Sequence, residues 1–313
     1  MSKILRIGTR DSQLAVWQAS LVKDLLEKVE IPSTLVYIKS EGDIDTVTPL
    51  YALRVQGIFT KTLDAALLNN RIDLAVHSMK DVPVQLAEGI MQYAVLKRAS
   101  YKDILVYKND QNFMNDINGD AIIATSSIRR MAQWLNRYPN HTFENLRGNV
   151  NTRLKKVRES NWNGAIFAAA GLERIGLRPE TSIDLQWMLP APAQGAIMIA
   201  GRDNDEYSYK ACEQLNDKDT AICTKAERDF LKRLMGGCST PISALAEISD
   251  GKINLRGNIV SPDGKEKVEI ERTVPVSNGQ SIGVEAAQQI LSDGGKNIMR
   301  LISKNDIPHH NEL

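Results

Sequence analysis

At 313 residues the chain is longer than one ordinary core accommodates, and length alone predicts two or three domains. Apolar residues make up 42% and charged residues 25%, the balance of a soluble globular protein, and 39 Lys+Arg against 38 Asp+Glu argue against a role coating polyanions through overall charge. No stretch approaches the ~18 consecutive apolar residues of a membrane span. The opening MSKILRIGTRDSQ has neither an apolar h-region nor a small-residue cleavage pattern, so secretion is not expected. Cys212, Cys223 and Cys238 are widely spaced and form no CxxC, which argues against a disulfide framework or zinc site and makes a reducing cytoplasm the expected setting.

In chain order, Leu5–Gly8 reads as a strand, followed by a helix from an N-cap at Asp11 or Ser12 with Leu14, Trp17, Leu21, Val22 and Leu25 on its apolar face. Leu35–Ile38 is a second strand, Lys61–Leu68 a helix, and Ile72–Val76 a third strand ending at His77-Ser78-Met79-Lys80-Asp81. The same design recurs with strands at Ile104–Tyr107, Ala121–Ala124 and Ala165–Ala168, a helix capped by Ser127, and another over Arg153–Glu159. Such alternation predicts two open, doubly wound α/β domains. Pro190, Pro192 and Gly195 punctuate a crossover, after which Ala196–Ala200 could return to the first sheet. Beyond Asp217 the character changes: a helix over Thr220–Leu234, then strands at Ser243–Ile248, Ile253–Ile259 and Val268–Val276 separated by Asp-Gly turns, and a last helix near Ser281–Leu291. This predicts a small α+β domain with a three-stranded antiparallel sheet, and a loose tail from Asn305. The expected division is 1–98 with 195–216, then 102–190, then 218–313.

Chemistry concentrates in strand-to-helix turns. Three are rich in hydroxyls and guanidinium groups: Gly8–Ser12, Ala124–Arg130 and Leu146–Arg153. Helix N-termini attract anions, and arginine adds a planar fork that fits a carboxylate or phosphate. Between Thr125 and Arg178 stand ten Lys/Arg and three acids. Lys155, Lys156 and Arg158 read as a solvated helix face, whereas Arg10, Arg129, Arg130, Arg147 and Arg153 read as anion-binding. A nucleic-acid surface is disfavoured by the absence of aromatic interleaving. Lys80-Asp81 reads first as an ordinary ion pair, and its place at the carboxyl end of a strand in an open sheet adds weight to catalysis as the alternative. His77 reads as structural. Cys212 and Cys223 read as small buried hydrophobes in helices. Cys238 differs, because Gly236 and Gly237 strip it of cover and Pro241 stiffens its loop.

Together the motifs resemble the porphobilinogen deaminase family. HSMKDVP, TSSIRR, LRGNVNTR, AAAGLERIGL, PAQGA and GGCSTPI occur here in the family's order and spacing, from Arg6 to about Cys238 and more loosely beyond. The resemblance implies a cytoplasmic, monomeric transferase with two periplasmic-binding-protein-like domains. It would condense four porphobilinogen molecules head-to-tail into hydroxymethylbilane, releasing four ammonia molecules. It implies a dipyrromethane primer held by a thioether to Cys238, and Asp81 as the catalytic carboxylate beside an azafulvenium cation. By the same resemblance Ser78, Lys80, Asp81, Thr125, Ser127, Arg129, Arg130, Arg147 and Gly171 would bind the cofactor. Arg10, Ser12, Gln18, Arg147, Arg153, Arg174 and Gln194 would bind substrate. Porphobilinogen carries an acetate and a propionate, so each added ring brings two negative charges, and an enclosed site needs many cations to hold them. No metal, nucleic acid or membrane is implied. Hinging is expected near 97–102 and 190–195.

The chain departs from the family in Tyr51–Phe59: a usual lysine before Gly57-Ile58-Phe59 is Gln56, and an upstream lysine is Ala52. Arg54 is expected to supply part of that loop's charge. The alternative reading is a two-lobed solute-binding protein for a small anion, against which the missing export signal and the Gly-Gly-Cys loop both stand.

Overall fold

A computed structural model describes residues 3–39, 60–234 and 240–304. The expectations placed on Tyr51–Phe59, on Cys238 and on the tail from Asn305 lie outside the described residues.

The first lobe begins with β1 (Leu5–Thr9), α1 (Gln13–Lys28), β2 (Ser33–Tyr37), α2 (Lys61–Leu68), β3 (Leu74–Ser78) and β4 (Ile90–Val95). The chain then crosses into a second lobe of β5 (Asp103–Tyr107), β6 (Ile122–Ala124), α3 (Ile128–Arg137), β7 (Thr142–Glu144), α4 (Val150–Glu159), β8 (Gly164–Ala168), α5 (Ala169–Glu173) and β9 (Ser182–Asp184). It returns as β10 (Ile197–Arg202) and continues into α6 (Glu206–Glu213). A C-terminal unit follows: α7 (Lys218–Arg233), β11 (Ile242–Ser249), β12 (Lys252–Val260), β13 (Lys267–Pro275), α8 (Ile282–Ile290) and α9 (Lys296–Lys304).

The two large sheets share one plan. The first has the order β2-β1-β3-β10-β4 and the second β7-β6-β8-β5-β9. In each, three parallel strands are followed by one antiparallel strand that has just arrived from the other lobe, β10 in the first and β5 in the second. The run Ala196–Ala200 thus does return to the first sheet, pairing Met198 with His77 and Ile199 with Val76. Each sheet is apolar on both faces because helices cover both. On β10, Ile197 and Ile199 pack toward α1 and α6, while Met198 and Ala200 pack toward α2, the period of two expected of a strand. On β8, Ala165 and Phe167 face α4 and α5, and Ile166 faces Trp134 of α3.

The crossovers run side by side: Leu96 N–H donates to Ile197 O at 3.0 Å and Ala99 N–H to Gly195 O at 3.1 Å. Gly195 is the residue this approach requires. Its φ is +87°, and a Cβ there would lie 2.7 Å from Ser100 O.

The C-terminal unit grips that crossing. Glu227 of α7 is completely buried; it accepts from Arg98 Nη1 at 2.5 Å and Nη2 at 3.1 Å, and from the backbone N–H groups of Ala193 (2.6 Å) and Ala246 (2.7 Å). A single carboxylate therefore joins both crossovers to β11. Its antiparallel sheet β11-β12-β13 packs on α7 and α8, and the Asp250-Gly251 hairpin has φ of +50° and +71°, the left-handed pair that a tight hairpin demands.

The structure differs from the sequence reading at several elements. β3 starts and ends two residues later than expected, because Asp73 turns its carboxylate to the N–H and guanidinium of Arg6 before the ladder begins. The sequence reading places no element at β4, β7, α5, β9 or α9. The buried face of α1 is Gln18, Ala19, Val22 and Leu26, and Trp17 stays 36% exposed. Ser127 occupies the N-cap of α3 but makes no capping hydrogen bond, unlike Ser12 of α1 and Asn149 of α4. Cys212 and Cys223 are buried in helices, and burial pushes both thiols up to about 12.

Candidate functional site

β3 runs fully buried through His77 and ends at Ser78, where one 3-10 turn, Met79–Asp81, brings Lys80 and Asp81 out of the sheet. The turn is pinned from three sides. Met79 is buried and its N–H donates to Ala196 O at 3.0 Å; Gln18 of α1 exchanges hydrogen bonds with Ser78 Oγ at 2.8 and 3.2 Å; and Arg228 of α7 donates to the carbonyls of Val82 (3.0 Å) and Pro83 (2.6 Å). Asp81 is thereby fixed by contacts from three elements distant in sequence. Burial, with the charge of Arg10 added, pushes His77 down to about 4, which keeps it neutral and fits a structural role.

From Lys80 a polar chain crosses between the lobes. Lys80 Nζ donates to Gln194 Oε1 at 3.1 Å, and Gln194 Nε2 donates to Tyr101 O at 2.7 Å and to Asp103 Oδ1 at 2.9 Å. Asp103, wholly buried at the start of β5, also accepts from Arg129 Nη2 at 2.6 Å and from Arg130 Nη2 and Nε at 2.7 and 3.2 Å. The remaining bonds of these arginines hold backbone: Arg129 Nη1 reaches Leu189 O and Arg130 Nη1 reaches Ile166 O. Burial alone would push the Asp103 carboxyl up, but the two guanidinium groups outweigh it and hold it well below the usual carboxylate range. Burial pushes Lys80 down to about 8, opposed by Asp81 and reinforced by Arg130.

Arg147 and Arg153 flank the start of α4. Arg147 is buried, and Arg153 Nε donates to Gly148 O at 2.8 Å. Burial pushes Arg153 down to about 10; the charges of Arg130 and Arg147 add to this and Asp81 opposes it. Five cations (Lys80, Arg129, Arg130, Arg147 and Arg153) thus feel one another, with Asp81 and Asp103 as the opposing carboxylates. Thr125 is buried and accepts from Ser127 N–H at 3.2 Å. Arg174, after α5, donates through Nη2 to Gly195 O at 2.7 Å, while its Nε is buried with no hydrogen-bond partner among the described residues. Gly171 of α5 faces Leu14 of α1.

The structure therefore joins Gln18, Ser78, Lys80, Asp81, Arg129, Arg130, Arg147, Arg153 and Gln194 through bonds or mutual charge, with Arg10 coupled to the same strand end through His77. Arg174 reaches the same crossing at Gly195. Sequence reasoning missed Asp103, Arg228 and Glu227. For Asp103 a signal existed: an acid leading directly into the apolar run Ile104–Val106 must find a buried partner. A cavity lined by Lys108, Asp110, Phe113 and Trp162 opens at the opposite end of the second sheet, away from all these residues. Among the described residues no group of three His, Cys, Asp or Glu could hold a metal, and no helix is long and apolar enough to cross a membrane.

An excess of desolvated cations, together with a stranded guanidinium N–H, fits a ligand carrying several carboxylates, such as a chain of pyrroles bearing acetate and propionate groups. Fold and site together define a two-lobed α/β protein with a small C-terminal α+β unit, whose lobes meet at a cation-rich junction with a carboxylate, Asp81, set among the cations. Residues 5–210 match the family description "Porphobilinogen deaminase, dipyromethane cofactor binding domain", and residues 221–292 match "Porphobilinogen deaminase, C-terminal domain". A porphobilinogen deaminase from Pelobacter propionicus is 39% identical over 307 residues, covering 97% of this chain and 98% of that protein. The chain belongs to the porphobilinogen deaminase family. Solved structures with some likeness include a periplasmic substrate-binding protein of an ABC transporter from Coxiella burnetii (13% identity, TM-score 0.43, 72% of this chain and 97% of that one). A methionine-bound nutrient-binding protein from Burkholderia cenocepacia is another (14% identity, TM-score 0.42, 69% and 93%).

Proposed function

We propose that the chain is a hydroxymethylbilane synthase: it condenses four porphobilinogen molecules head-to-tail, with release of four ammonia molecules, on a dipyrromethane attached to Cys238, and one water then cleaves the bond to the primer and supplies the product's hydroxyl. The observation that carries this reading is Asp81, fixed at the end of β3 beside a group of five cations, three of which (Lys80, Arg129 and Arg130) are tied together through Gln194 and Asp103. When bound, the dipyrromethane supplies the terminal pyrrole carbon from which the product grows. Ser78, Lys80, Thr125, Ser127, Arg129, Arg130, Arg147 and Gly171 would hold it. Arg10, Ser12, Gln18, Arg147, Arg153, Arg174 and Gln194 would hold the incoming substrate.

The chain's own groups divide the work. The guanidinium and ammonium groups are themselves largely buried and neutralise ligand carboxylates where such pairs are strong. Asp81 stabilises positive charge developing on a pyrrole nitrogen and accepts its N–H, and so also serves to move a proton as ammonia departs. The same reading takes the protein as a cytoplasmic monomer that binds neither nucleic acid nor membrane. It divides the chain into 1–98 with 195–216, 102–190 and 218–313, which is supported by the sheet membership of the strands.

Purified protein given porphobilinogen should release one ammonia per substrate consumed and form one linear tetrapyrrole per four. Saturable binding without ammonia release would favour the solute-binding alternative instead.

The depressed Lys80 makes a pH prediction. A carboxylate ligand favours its charged form, so binding is strongest while Lys80 is protonated and weakens as pH rises through about 8. The porphobilinogen concentration that half-saturates primer formation on the cofactor-free protein should be flat below that pH and climb above it, by up to about tenfold per pH unit. Lys80→Met should raise that concentration at neutral pH and flatten the profile. An unchanged alkaline rise in that variant would remove Lys80 as its origin.

A further inference from the structure

Two neighbours on α1 do different things. Gln18 turns into the first lobe to meet Ser78, whereas Trp17 turns to the second lobe, where the guanidinium carbon of Arg174 lies 5.8 Å from its ring centroid. The same edge of α1 touches the second lobe twice more. Asn151 Nδ2 donates to Gln13 Oε1 at 3.0 Å, and Leu14 Cδ2 comes within 3.7 Å of the Cβ position of Gly171. Residues 13, 14 and 17 share one helical edge, so the contacts form a single seam.

Arg174 is the residue this seam holds. Burial pushes it down to about 10, with only Glu173 opposing. One end of its fork is spent on Gly195 O, and the cation lies over the Trp17 ring within the ~6 Å at which a guanidinium and a ring attract. The ring and the carbonyl at Nη2 together restrain the group while leaving the buried Nε–H edge unspent. That edge matches a carboxylate oxygen in geometry and charge.

We propose that Trp17 is a positioning residue of the reaction, holding Arg174 in the plane from which its Nε edge takes a carboxylate of the incoming porphobilinogen. The inference rests on the function proposed above. It separates Trp17 from the core role that its helical spacing suggests, and it makes ring and guanidinium one coupled unit rather than two independent contacts.

The test is steady-state kinetics of the primer-loaded enzyme and of Trp17→Ala, Trp17→Phe, Arg174→Ala and the Trp17→Ala/Arg174→Ala double variant. Calorimetric titration of porphobilinogen into each in an Asp81→Asn background adds a binding readout free of turnover. Trp17→Ala should raise KM and the calorimetric Kd about fivefold with kcat within twofold. Trp17→Phe, which keeps a ring and also guards against misfolding of the alanine variant, should recover most of that loss. The double variant should be no worse than Arg174→Ala alone, the mark of a coupled pair. Unchanged KM and Kd in Trp17→Ala, or losses that multiply in the double variant, would overturn the proposal while leaving the function intact. Failure of the unsubstituted enzyme to consume porphobilinogen would instead overturn the function and the role of Trp17 with it.

Discussion

Asp81→Asn or Asp81→Ala should lower kcat by about 10²–10⁴-fold while leaving the fold in place. The size follows from position. Asp81 is the carboxylate presented by the β3 turn, and the charges around it are cationic, so no neighbour can take over stabilisation of a positive pyrrole. The fold should survive because the turn is held by the Met79 N–H bond to Ala196 O, by the Ser78–Gln18 pair and by the grip of Arg228 on Val82 and Pro83, none of which uses the Asp81 side chain. Substrate affinity should fall little, since the carboxylate-binding cations remain. Single-turnover kinetics and circular dichroism on the same samples check both halves, and turnover near the unsubstituted level would remove Asp81 from the role assigned to it.

Asp103→Ala should be costly in a different way. It leaves the guanidinium groups of Arg129 and Arg130, both more than nine-tenths buried, without their shared carboxylate, and breaking a buried pair by removing one member costs about 3–5 kcal/mol. Gln194 loses an acceptor at the same time, so the polar chain from Lys80 into the second lobe is cut. A lowered midpoint in urea, with weaker binding of porphobilinogen by the folded fraction, is the expected pair of results. The Asp103 carboxyl is held below its unfolded value, so its contribution is fully present above about pH 4 and drains away on acidification. Asp103→Ala should therefore show a shallower acid limb of stability, and an unaltered limb would mean that other carboxylates dominate it.

These residues show where sequence reading works. Asp81, Lys80 and the arginines of the Thr125–Arg130 and Leu146–Arg153 turns were legible because each sits in a local pattern, a strand end or a helix start, whose chemistry follows from its neighbours. Asp103, Glu227 and Arg228 were not, since their meaning lies in partners far along the chain: Asp103 with Gln194, Glu227 with Arg98, Arg228 with Val82. Nothing local to Lys225–Asp229 distinguishes the fully buried Glu227 from its exposed neighbour Lys225 except helical phase. The long amphipathic helices and the Asp-Gly hairpin of the C-terminal unit could be read from periodicity and turn chemistry. The three-residue strands β7 and β9 are too short to show alternation, and they exist because a neighbouring strand completes their hydrogen bonds. Trp17 misled for the opposite reason: its spacing matches an apolar stripe, but the surface it meets belongs to the other lobe.

A transferase that builds its product on a covalent primer reveals itself in the intact mass of the purified, denatured protein, before and after limiting porphobilinogen, followed by peptide mapping. The expected result is a dipyrromethane adduct on the peptide containing Cys238, then species heavier by successive additions of porphobilinogen less ammonia. A protein that carries no adduct and gains none on any cysteine after incubation with porphobilinogen is not such a transferase.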